Sequence, residues 1–171
     1  MEYKASLGTT AKIMTIALSV LFLCVIGRSM NRLIILQNNS EKVAKHTTAI
    51  LLVVAVVFIS YLFSTRRYLL SNRELLIKRP IGDRKIKISD IEEIRLIDSD
   101  VRTGLLRVFG NGGFLGFYGK YYSPSIGWVN LYATQRKNRI FIKLKDGKKI
   151  IITPDDISLA DKLKSELLNK S

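Results

Sequence analysis

The stretch GNGGFLGFYGKYYSPSIGWVNLYAT (Gly110–Thr134) combines a high density of glycine with many aromatic residues. A dinucleotide-binding loop needs the pattern G-x-G-x-x-G between a strand and a helix, because the helix N-terminus must face the phosphates. Gly110 and Gly112 fit that pattern, but Leu115 occupies the third glycine position and strand-like sequence follows. The sequence G-K-[ST] of a P-loop does not occur either. The stretch therefore predicts bent β-structure, in which glycines permit sharp bends and aromatic rings cover a core.

The clearest apolar run lies between Lys45 and Arg66. Its 20 residues, HTTAILLVVAVVFISYLFST, contain no firmly charged side chain. At 1.5 Å per residue they cover roughly 30 Å, which is the thickness of the hydrocarbon core of a bilayer. The run predicts a transmembrane helix at about residues 47–64.

A second apolar run is limited by Lys12 and Arg28. An arginine at the centre of a span costs about 2.5–3.5 kcal/mol on the insertion scale, so a helix centred on Arg28 is disfavoured. A span at about residues 9–29 allows both cations to reach opposite interfaces. The following apolar segment LIIL then either extends the helix or lies in the interface. We therefore predict a transmembrane hairpin over residues 1–65 and a separate domain over residues 66–171.

The positive charge of the chain predicts the orientation of that hairpin. The formal net charge is +14, of which residues 1–65 contribute 6 basic and 2 acidic side chains and residues 66–171 contribute 22 and 12. Cations near the spans favour the cytoplasmic side. Seven cations flank the outer ends of the hairpin and four lie in the connection, which predicts both termini in the cytoplasm. The seven are Lys4, Lys12, Arg66, Arg67, Arg73, Lys78 and Arg79, and the four are Arg28, Arg32, Lys42 and Lys45.

The remaining residues alternate in a way that is typical of strands. In RKIKIS, Ile86 and Ile88 alternate with lysines, and NRIFIKL repeats the pattern. Such alternation places one face in a core and the other in water. Breaks at Ser71-Asn72 and at Pro80–Asp83 have turn composition. Asp146-Gly147 between two alternating runs predicts a hairpin with a type I′ turn.

The end of the chain changes to helical spacing. Thr153 is expected to cap a helix that has Pro154 at its first position and Asp156 three residues after the cap. Leu159, Leu163 and Leu167 then share one face. The domain is thus expected to hold six or seven short antiparallel strands and one C-terminal helix.

Three motifs together carry a family resemblance. They are the G-x-G-G-F-x-G-x-x-G core (Gly110 to Gly119), Tyr132-Ala133-Thr134 and the T-P-D-D sequence that starts at Thr153. In this order they resemble the bacterial pleckstrin-homology-like (PH-like) domains, in particular a group that follows a transmembrane hairpin. The resemblance covers roughly residues 66–168 and implies an α+β domain, a bent antiparallel barrel of about seven strands capped by a C-terminal helix. It implies a binding or assembly module and no particular ligand.

Catalysis, cofactors and metals find little support in the sequence. The one histidine, His46, lies at a membrane boundary, and the one cysteine, Cys24, lies within an apolar run. No His-containing or Cys-containing catalytic or metal constellation can therefore be built in the domain. The carboxylates near its centre are scattered and are expected to be surface charges: Asp90, Glu92, Glu93, Asp98 and Asp100. We expect neither an enzyme, nor a cofactor, nor a metal site.

The basic residues allow two kinds of anionic partner. A patch around Arg136 and Lys145 could bind nucleic acid, but tethering beside a bilayer disfavours this interpretation. In eukaryotic PH domains, basic residues around the loop between the first two strands hold phosphoinositide headgroups, and this sequence has a comparable cluster on both sides of the Pro80–Asp83 turn, where we predict contact with an anionic headgroup. The predicted site residues are Lys78, Arg79, Arg84, Lys85 and Lys87.

The predicted function is thus a membrane-anchored binding or scaffolding module at the cytoplasmic face of a bacterial inner membrane, which recruits a lipid or an unknown protein partner. The alternative is a structural subunit of a larger membrane complex that recognises no lipid headgroup.

Overall fold

The chain begins with two long helices that expose their apolar side chains. The structure is a computed structural model, and it describes residues 1–35, 39–97 and 104–168. Helix α1 spans Thr9–Ile35 and helix α2 spans Ser40–Phe63. Their most apolar windows have mean hydropathies of 2.1 and 2.2, and only 6% of each window is buried. Apolar helices that bury so little against protein are typical of membrane spans, and both are long enough to cross a bilayer.

Both helices are longer than the predicted spans. Helix α1 continues through Leu33–Ile35, beyond the predicted end near residue 29. Helix α2 begins at Ser40, and the Asn39 side chain caps it by accepting a 3.0 Å hydrogen bond from the Lys42 amide. The apolar residues Leu33–Ile35 extend α1, which was one of the two possibilities for this segment, and the cap at Asn39 starts α2 before its apolar run begins.

The first β-sheet includes a strand that precedes the helices. Its order is β1-β2-β3-β4, and all its pairs are antiparallel. Strand β1 pairs Tyr3 with Tyr68 of β2, and both side chains are buried. The chain therefore forms β1, then the two helices, and then returns to the sheet as β2, which pairs with β1. The strands are β1 (Glu2–Lys4), β2 (Arg67–Leu70), β3 (Glu74–Lys78) and β4 (Arg84–Lys87).

The second sheet has six strands in the order β5-β9-β10-β8-β7-β6. Its pairs are antiparallel except for β8 and β10, which are parallel and place Leu131 beside Ile151. A short 3₁₀ helix, Ile88–Asp90, connects the two sheets. The strands are β5 (Ile91–Ile97), β6 (Leu106–Gly113), β7 (Gly116–Ser123), β8 (Gly127–Ala133), β9 (Arg139–Leu144) and β10 (Lys149–Ile152).

The main core lies between the two sheets and is closed by helix α3 (Ser158–Leu168). Ile86, Ile88 and Ile140 are buried in it, as their alternation predicted. Leu159 and Leu163 of α3 are fully buried there. A smaller core covers the opposite face of the six-stranded sheet, where Val129, Leu131, Phe141 and Ile151 pack with Ala11 from the start of α1.

The predicted class of two apolar helices, β-structure and a C-terminal helix is confirmed, but the sheets do not close into a barrel. The described residues form ten strands in two sheets, and no ladder joins the sheets. Two features oppose closure. The 3₁₀ turn at Ile88–Asp90 separates β4 from β5, and the β6–β7 hairpin is directed toward the helices.

Two local predictions were wrong in detail. Gly147 has φ +79° and Asp146 does not have a positive φ, so the β9–β10 turn is not type I′. Instead, Leu144 and Lys148 enclose a three-residue loop whose last residue is the left-handed glycine. Thr153 does not cap α3. It is buried, and its hydroxyl accepts a 2.9 Å hydrogen bond from the Thr134 amide, while Asp156 accepts one from the Ser158 amide at the helix start.

Candidate functional site

The glycine-rich stretch forms the β6–β7 hairpin, and Asn111 organises its tip. The Asn111 side-chain oxygen accepts hydrogen bonds from the Gly113 and Phe114 amides at 3.1 and 3.0 Å. Its amide nitrogen donates to the Phe114 carbonyl at 2.7 Å and lies 3.4 Å from the hydroxyl of Ser60 in α2. One asparagine thus holds the turn and contacts the end of a helix, which is a common use of this side chain.

Two glycines allow the hairpin strands to approach closely. Gly110 and Gly119 are paired across β6 and β7, with φ values of +119° and +122°. A Cβ atom on Gly110 would lie 2.2 Å from the Tyr118 carbonyl oxygen, and one on Gly119 would lie 2.2 Å from the Phe109 carbonyl oxygen. Side chains are therefore excluded at both positions, which explains the glycine content without a phosphate-binding role.

The hairpin tip packs against both helices. The Thr15 hydroxyl of α1 accepts a 2.9 Å hydrogen bond from the Leu115 amide, and the Phe22 ring makes an edge contact with Phe114 at 5.6 Å between centroids. The Tyr118 hydroxyl donates to the Ser60 carbonyl oxygen of α2 at 3.2 Å. The glycine-rich β6–β7 hairpin thus fixes the β domain to helices α1 and α2.

The β3–β4 turn is also fixed to α2. The Ile81 amide donates a 3.2 Å hydrogen bond to the carbonyl oxygen of Leu62 in the last turn of that helix. Within the β3–β4 turn, Asp83 accepts from the Lys78 ammonium at 2.6 Å and from the Arg79 amide at 3.0 Å. These bonds, the one from Lys78 first, lower the pKa of the Asp83 carboxyl below its ordinary value. The turn is therefore held at the end of α2, where the apolar helix gives way to the polar domain.

A cluster of cations lies beside that end of α2, and we call it the basic collar. Its five members line one surface depression together with Tyr61 and the acidic Glu2. Arg66 lies over the Tyr61 ring at 4.7 Å, and Arg79 lies over Phe63 and Tyr132 at 5.7 and 5.5 Å. Such aromatic residues are typical of the membrane–water boundary. The basic collar consists of Lys4, Arg66, Arg67, Lys78 and Arg79.

Part of the collar charge is compensated within the domain. Arg67 contacts Glu2 at 2.9 Å, and Lys78 contacts Asp83 at 2.6 Å. Lys4, Arg66 and Arg79 form no ion pair with a described carboxylate. The collar therefore presents an excess of positive charge next to a predicted span.

A cleft of about 640 Å³ lies beside the collar, between the helices and the β6–β7 hairpin. Arg79 lines both the cleft and the collar depression. Two more cations, Arg107 and Lys120, also line the cleft. The apolar part of its wall includes Leu18, Phe22, Val56, Ile59, Phe109 and Tyr118.

The structure brings only some of the predicted site residues together. Lys78 and Arg79 lie in the collar at the end of α2, whereas Arg84, Lys85 and Lys87 follow one another along β4. Lys87 pairs with Glu74 at the end of β3 that is opposite to Lys78. Strand β4 thus leads away from the collar.

Three collar members were not among the predicted site residues. Lys4, Arg66 and Arg67 contributed only to the prediction of membrane orientation. The alternation of Tyr3 and Ala5 with Glu2 and Lys4 was an available signal, because it is the pattern of a half-buried strand.

No metal centre is formed by the part of the chain that the structure describes: no group of three or more His, Cys, Asp or Glu side chains is close enough to hold an ion. Of the carboxylates considered above, Asp98 and Asp100 lie outside the described residues. Glu92 pairs with Lys143 at 2.6 Å, and Glu93 lies 3.7 Å from Arg95. These are ordinary pairs on the surface of the sheet.

The fold and the junction define a membrane protein that carries one β-sheet domain beside a hairpin of two apolar helices. The chain belongs to the bacterial PH domain family, since the sequence model of that family matches residues 66–170. Neither a curated protein nor a solved structure matches the chain. PH-like domains are generally non-catalytic.

Proposed function

We propose that this chain is a membrane-anchored, non-catalytic binding module whose β domain engages anionic lipid headgroups at the cytoplasmic surface of the bacterial inner membrane. The observation that carries the proposal is the position of the basic collar. It lies beside the end of an apolar helix, where lipid headgroups lie when that helix spans a bilayer.

The charge of the collar is sufficient for such an interaction. A cation close to an anionic leaflet contributes about 1 kcal/mol. Lys4, Arg66 and Arg79 have no described carboxylate partner, so together they supply about 3 kcal/mol. Because the helices already hold the domain at the surface, this energy selects among neighbouring lipids and need not overcome the cost of association. Arg84, Lys85 and Lys87 extend the positive surface along β4.

The distribution of cations supports the cytoplasmic orientation. Seven flank the outer ends of the hairpin and four flank its connection, which favours the domain side as the cytoplasmic side. A compartment-sensitive reporter fused after Ser171 measures this directly. Activity of the reporter outside the cytoplasm would contradict the orientation and the inner-leaflet assignment.

The function is tested with the full-length chain in neutral phosphatidylcholine nanodiscs that contain a trace of spin-labelled phosphatidylglycerol or spin-labelled phosphatidylcholine. We expect a larger immobilised fraction for phosphatidylglycerol at about 50 mM salt, and a smaller difference at about 500 mM salt because of screening. Replacing Lys4, Arg66 and Arg67 by Gln should remove most of the preference, because it removes two of the three cations without a described carboxylate partner and leaves Glu2 without its ion pair.

A matched control removes three exposed cations elsewhere. Arg73, Lys137 and Lys145 lie outside the collar, and their replacement by Gln changes the net charge equally. This variant should keep the preference. Equal immobilisation of both lipids by the unmodified protein would reject the proposed function.

The alternative of a structural subunit is favoured by the edge strand β6. Leu106, Val108 and Phe109 on this strand are 64%, 55% and 77% exposed. An apolar sheet edge is a common surface for pairing with another chain. The test is whether a complex isolated in mild detergent falls apart when Val108 is replaced by Lys. If it does, and the unmodified protein shows no lipid preference, the chain is a structural subunit and the lipid function is rejected.

A further inference from the structure

We infer that the cleft between the helices and the β6–β7 hairpin binds a single anionic phospholipid, with one acyl chain along the apolar wall and the phosphate on Arg79, Arg107 and Lys120. The inference rests on the proposed function and specifies how one lipid molecule is held.

The size and position of the cleft suit a hydrocarbon chain. Its volume of about 640 Å³ lies within the roughly 300–1,000 Å³ range of small-molecule sites. Val56 lies seven residues before the end of α2, so the cleft reaches about 10 Å along the helix from the domain side. Val56 and Ile59 line the cleft and are 49% and 53% exposed, so this wall is accessible to a lipid beside the helices.

The charges of the cleft select an anionic headgroup. Arg79, Arg107 and Lys120 are its only ionisable side chains besides the tyrosines, and no described carboxylate lines it. Cations without an acid between them attract a phosphate and repel a cationic ligand.

The geometry of Arg79 gives a specific reason for an anion. Its Nη2 donates to the Gly82 carbonyl oxygen, whereas its Nε is buried and has no hydrogen-bond partner in the described structure. A buried donor that lacks an acceptor is costly. A phosphate in the cleft would supply the acceptor once the guanidinium turns toward it, and Arg79 also borders the basic collar from which a headgroup would enter.

A lipid fits better than a protein segment because the cleft is continuous with the predicted spans. Two of its walls are helices that expose apolar side chains along most of their length. The molecule that combines a hydrocarbon chain with an anionic group at this depth is a membrane lipid.

Photochemical cross-linking of the full-length chain tests the inference. The protein is reconstituted into phosphatidylcholine nanodiscs with phosphatidylglycerol or phosphatidylcholine that carries a diazirine midway along one acyl chain, and cross-linked residues are located by mass spectrometry. We expect phosphatidylglycerol to label the cleft wall at Val56, Ile59 and Phe109 at least about fivefold more than phosphatidylcholine, since one cation at an anionic headgroup accounts for that factor.

Variants that change only the cleft separate this inference from the proposed function. Val56→Trp fills the cleft and should abolish labelling at Phe109, whereas Val54→Trp on the same helix is a control because Val54 is exposed and does not line the cleft. Lys120→Gln and Arg107→Gln should each reduce the preference for phosphatidylglycerol by about fivefold.

The outcomes are distinct. Labelling spread evenly around both helices, or equal labelling by both lipids, overturns the inference even when spin-labelled phosphatidylglycerol is still preferred at the collar. Cleft labelling by phosphatidylglycerol that disappears in Val56→Trp and persists in Val54→Trp supports it. Loss of the anionic preference in both assays rejects the proposed function together with the inference.

Discussion

The hydroxyl of Thr15 in α1 accepts a 2.9 Å hydrogen bond from the backbone amide of Leu115, one hundred residues further along the chain. The same hydroxyl donates to the Ala11 carbonyl oxygen at 2.7 Å. Leu115 has a left-handed φ of +58° at the tip of the β6–β7 hairpin. The Thr15 side chain therefore satisfies the amide of a strained turn and joins the helical hairpin to the β domain.

Replacing Thr15 by Val should weaken this junction. The change keeps the shape of the side chain but leaves the Leu115 amide without its acceptor, which should lower the free energy of unfolding by about 1–3 kcal/mol. Thermal unfolding in detergent, followed by the fluorescence of Trp128, measures the change. Thr48→Val, at an exposed position of α2, should change stability by less than about 0.5 kcal/mol. Equal melting temperatures for the two variants would contradict the assignment.

Replacing Gly119 by Ala should disrupt the glycine-rich hairpin. The added Cβ would lie 2.2 Å from the Phe109 carbonyl oxygen at a positive φ, and we expect a loss of about 3 kcal/mol or more from strain and overpacking. Gly27→Ala in α1 is the matched control, because a Cβ there meets nothing within 4 Å. Size-exclusion chromatography in detergent should show aggregation of the first variant only. A monodisperse Gly119→Ala protein of unchanged stability would show that β6 and β7 do not approach each other as closely as described.

The strand β1 should be part of the folded domain. Tyr3 is only 6% exposed, so Tyr3→Ala should cost about 3 kcal/mol. Glu2→Ala removes the exposed pair with Arg67 and should cost no more than about 1 kcal/mol. Urea unfolding of the full-length protein in detergent distinguishes the two. Similar midpoints for both variants would mean that β1 contributes little.

The buried phenol of Tyr68 should make stability depend on pH in the alkaline range. Its hydroxyl donates to the Tyr132 carbonyl oxygen at 2.7 Å and accepts from the Thr153 amide at 3.1 Å. Burial raises the pKa of Tyr68 above the ordinary value of 10.0. A raised pKa means that the folded state holds the proton more tightly, so this contribution is complete below pH 10 and is lost as the pH rises above it.

Tyr68→Phe tests that dependence. The variant should be less stable by about 1–3 kcal/mol at pH 8, because two buried partners lose their hydrogen bonds. The difference from the unmodified protein should shrink above pH 10, as measured by urea unfolding from pH 8 to pH 11. A constant difference over this range would argue against a raised pKa.

Removing the acid of the β3–β4 turn should strengthen anionic lipid binding. Asp83→Asn frees the Lys78 ammonium from its 2.6 Å contact, and the spin-labelled phosphatidylglycerol preference should rise a few-fold. The Lys78 bond keeps the pKa of Asp83 below 3.8, so the unmodified protein should show a constant preference between pH 5 and pH 8. Asp161→Asn on α3, an exposed control with the same charge change, should have no effect. A weaker preference in Asp83→Asn would contradict the role of the collar.

Local patterns were enough to predict most of the elements. The buried positions Ile140, Ile142 and Leu144 follow from alternation, because successive side chains of a strand point to opposite faces whatever the rest of the fold is. The face of α3 that carries Leu159 and Leu163 follows from helical spacing in the same way. Local patterns did not predict the ends of the elements as well. Threonine is a common helix-capping residue, yet Thr153 lies in the core, where its hydroxyl accepts from the Thr134 amide and its own amide donates to the Tyr68 hydroxyl.

The candidate site was only partly predictable. Lys78 and Arg79 are neighbours of a turn in the sequence, so their proximity to each other required no tertiary information. Their proximity to Lys4 depends on the pairing of β1 with β2, in which Lys4 faces Arg67 across 62 intervening residues. A strand of three residues has too weak a pattern to predict such a partner.

Hydropathy and side-chain periodicity are properties of neighbouring residues, so they were enough to predict two long apolar segments before a domain of short alternating strands and one amphipathic helix. The pairing of the strand edges, the open sheets and the packing of the glycine-rich hairpin against the helices, beside a cleft and a basic collar, become visible only in the folded chain. Those features depend on hydrogen bonds and close contacts between residues far apart in the chain, such as Thr15 with Leu115 and Leu62 with Ile81, and no local pattern specifies them.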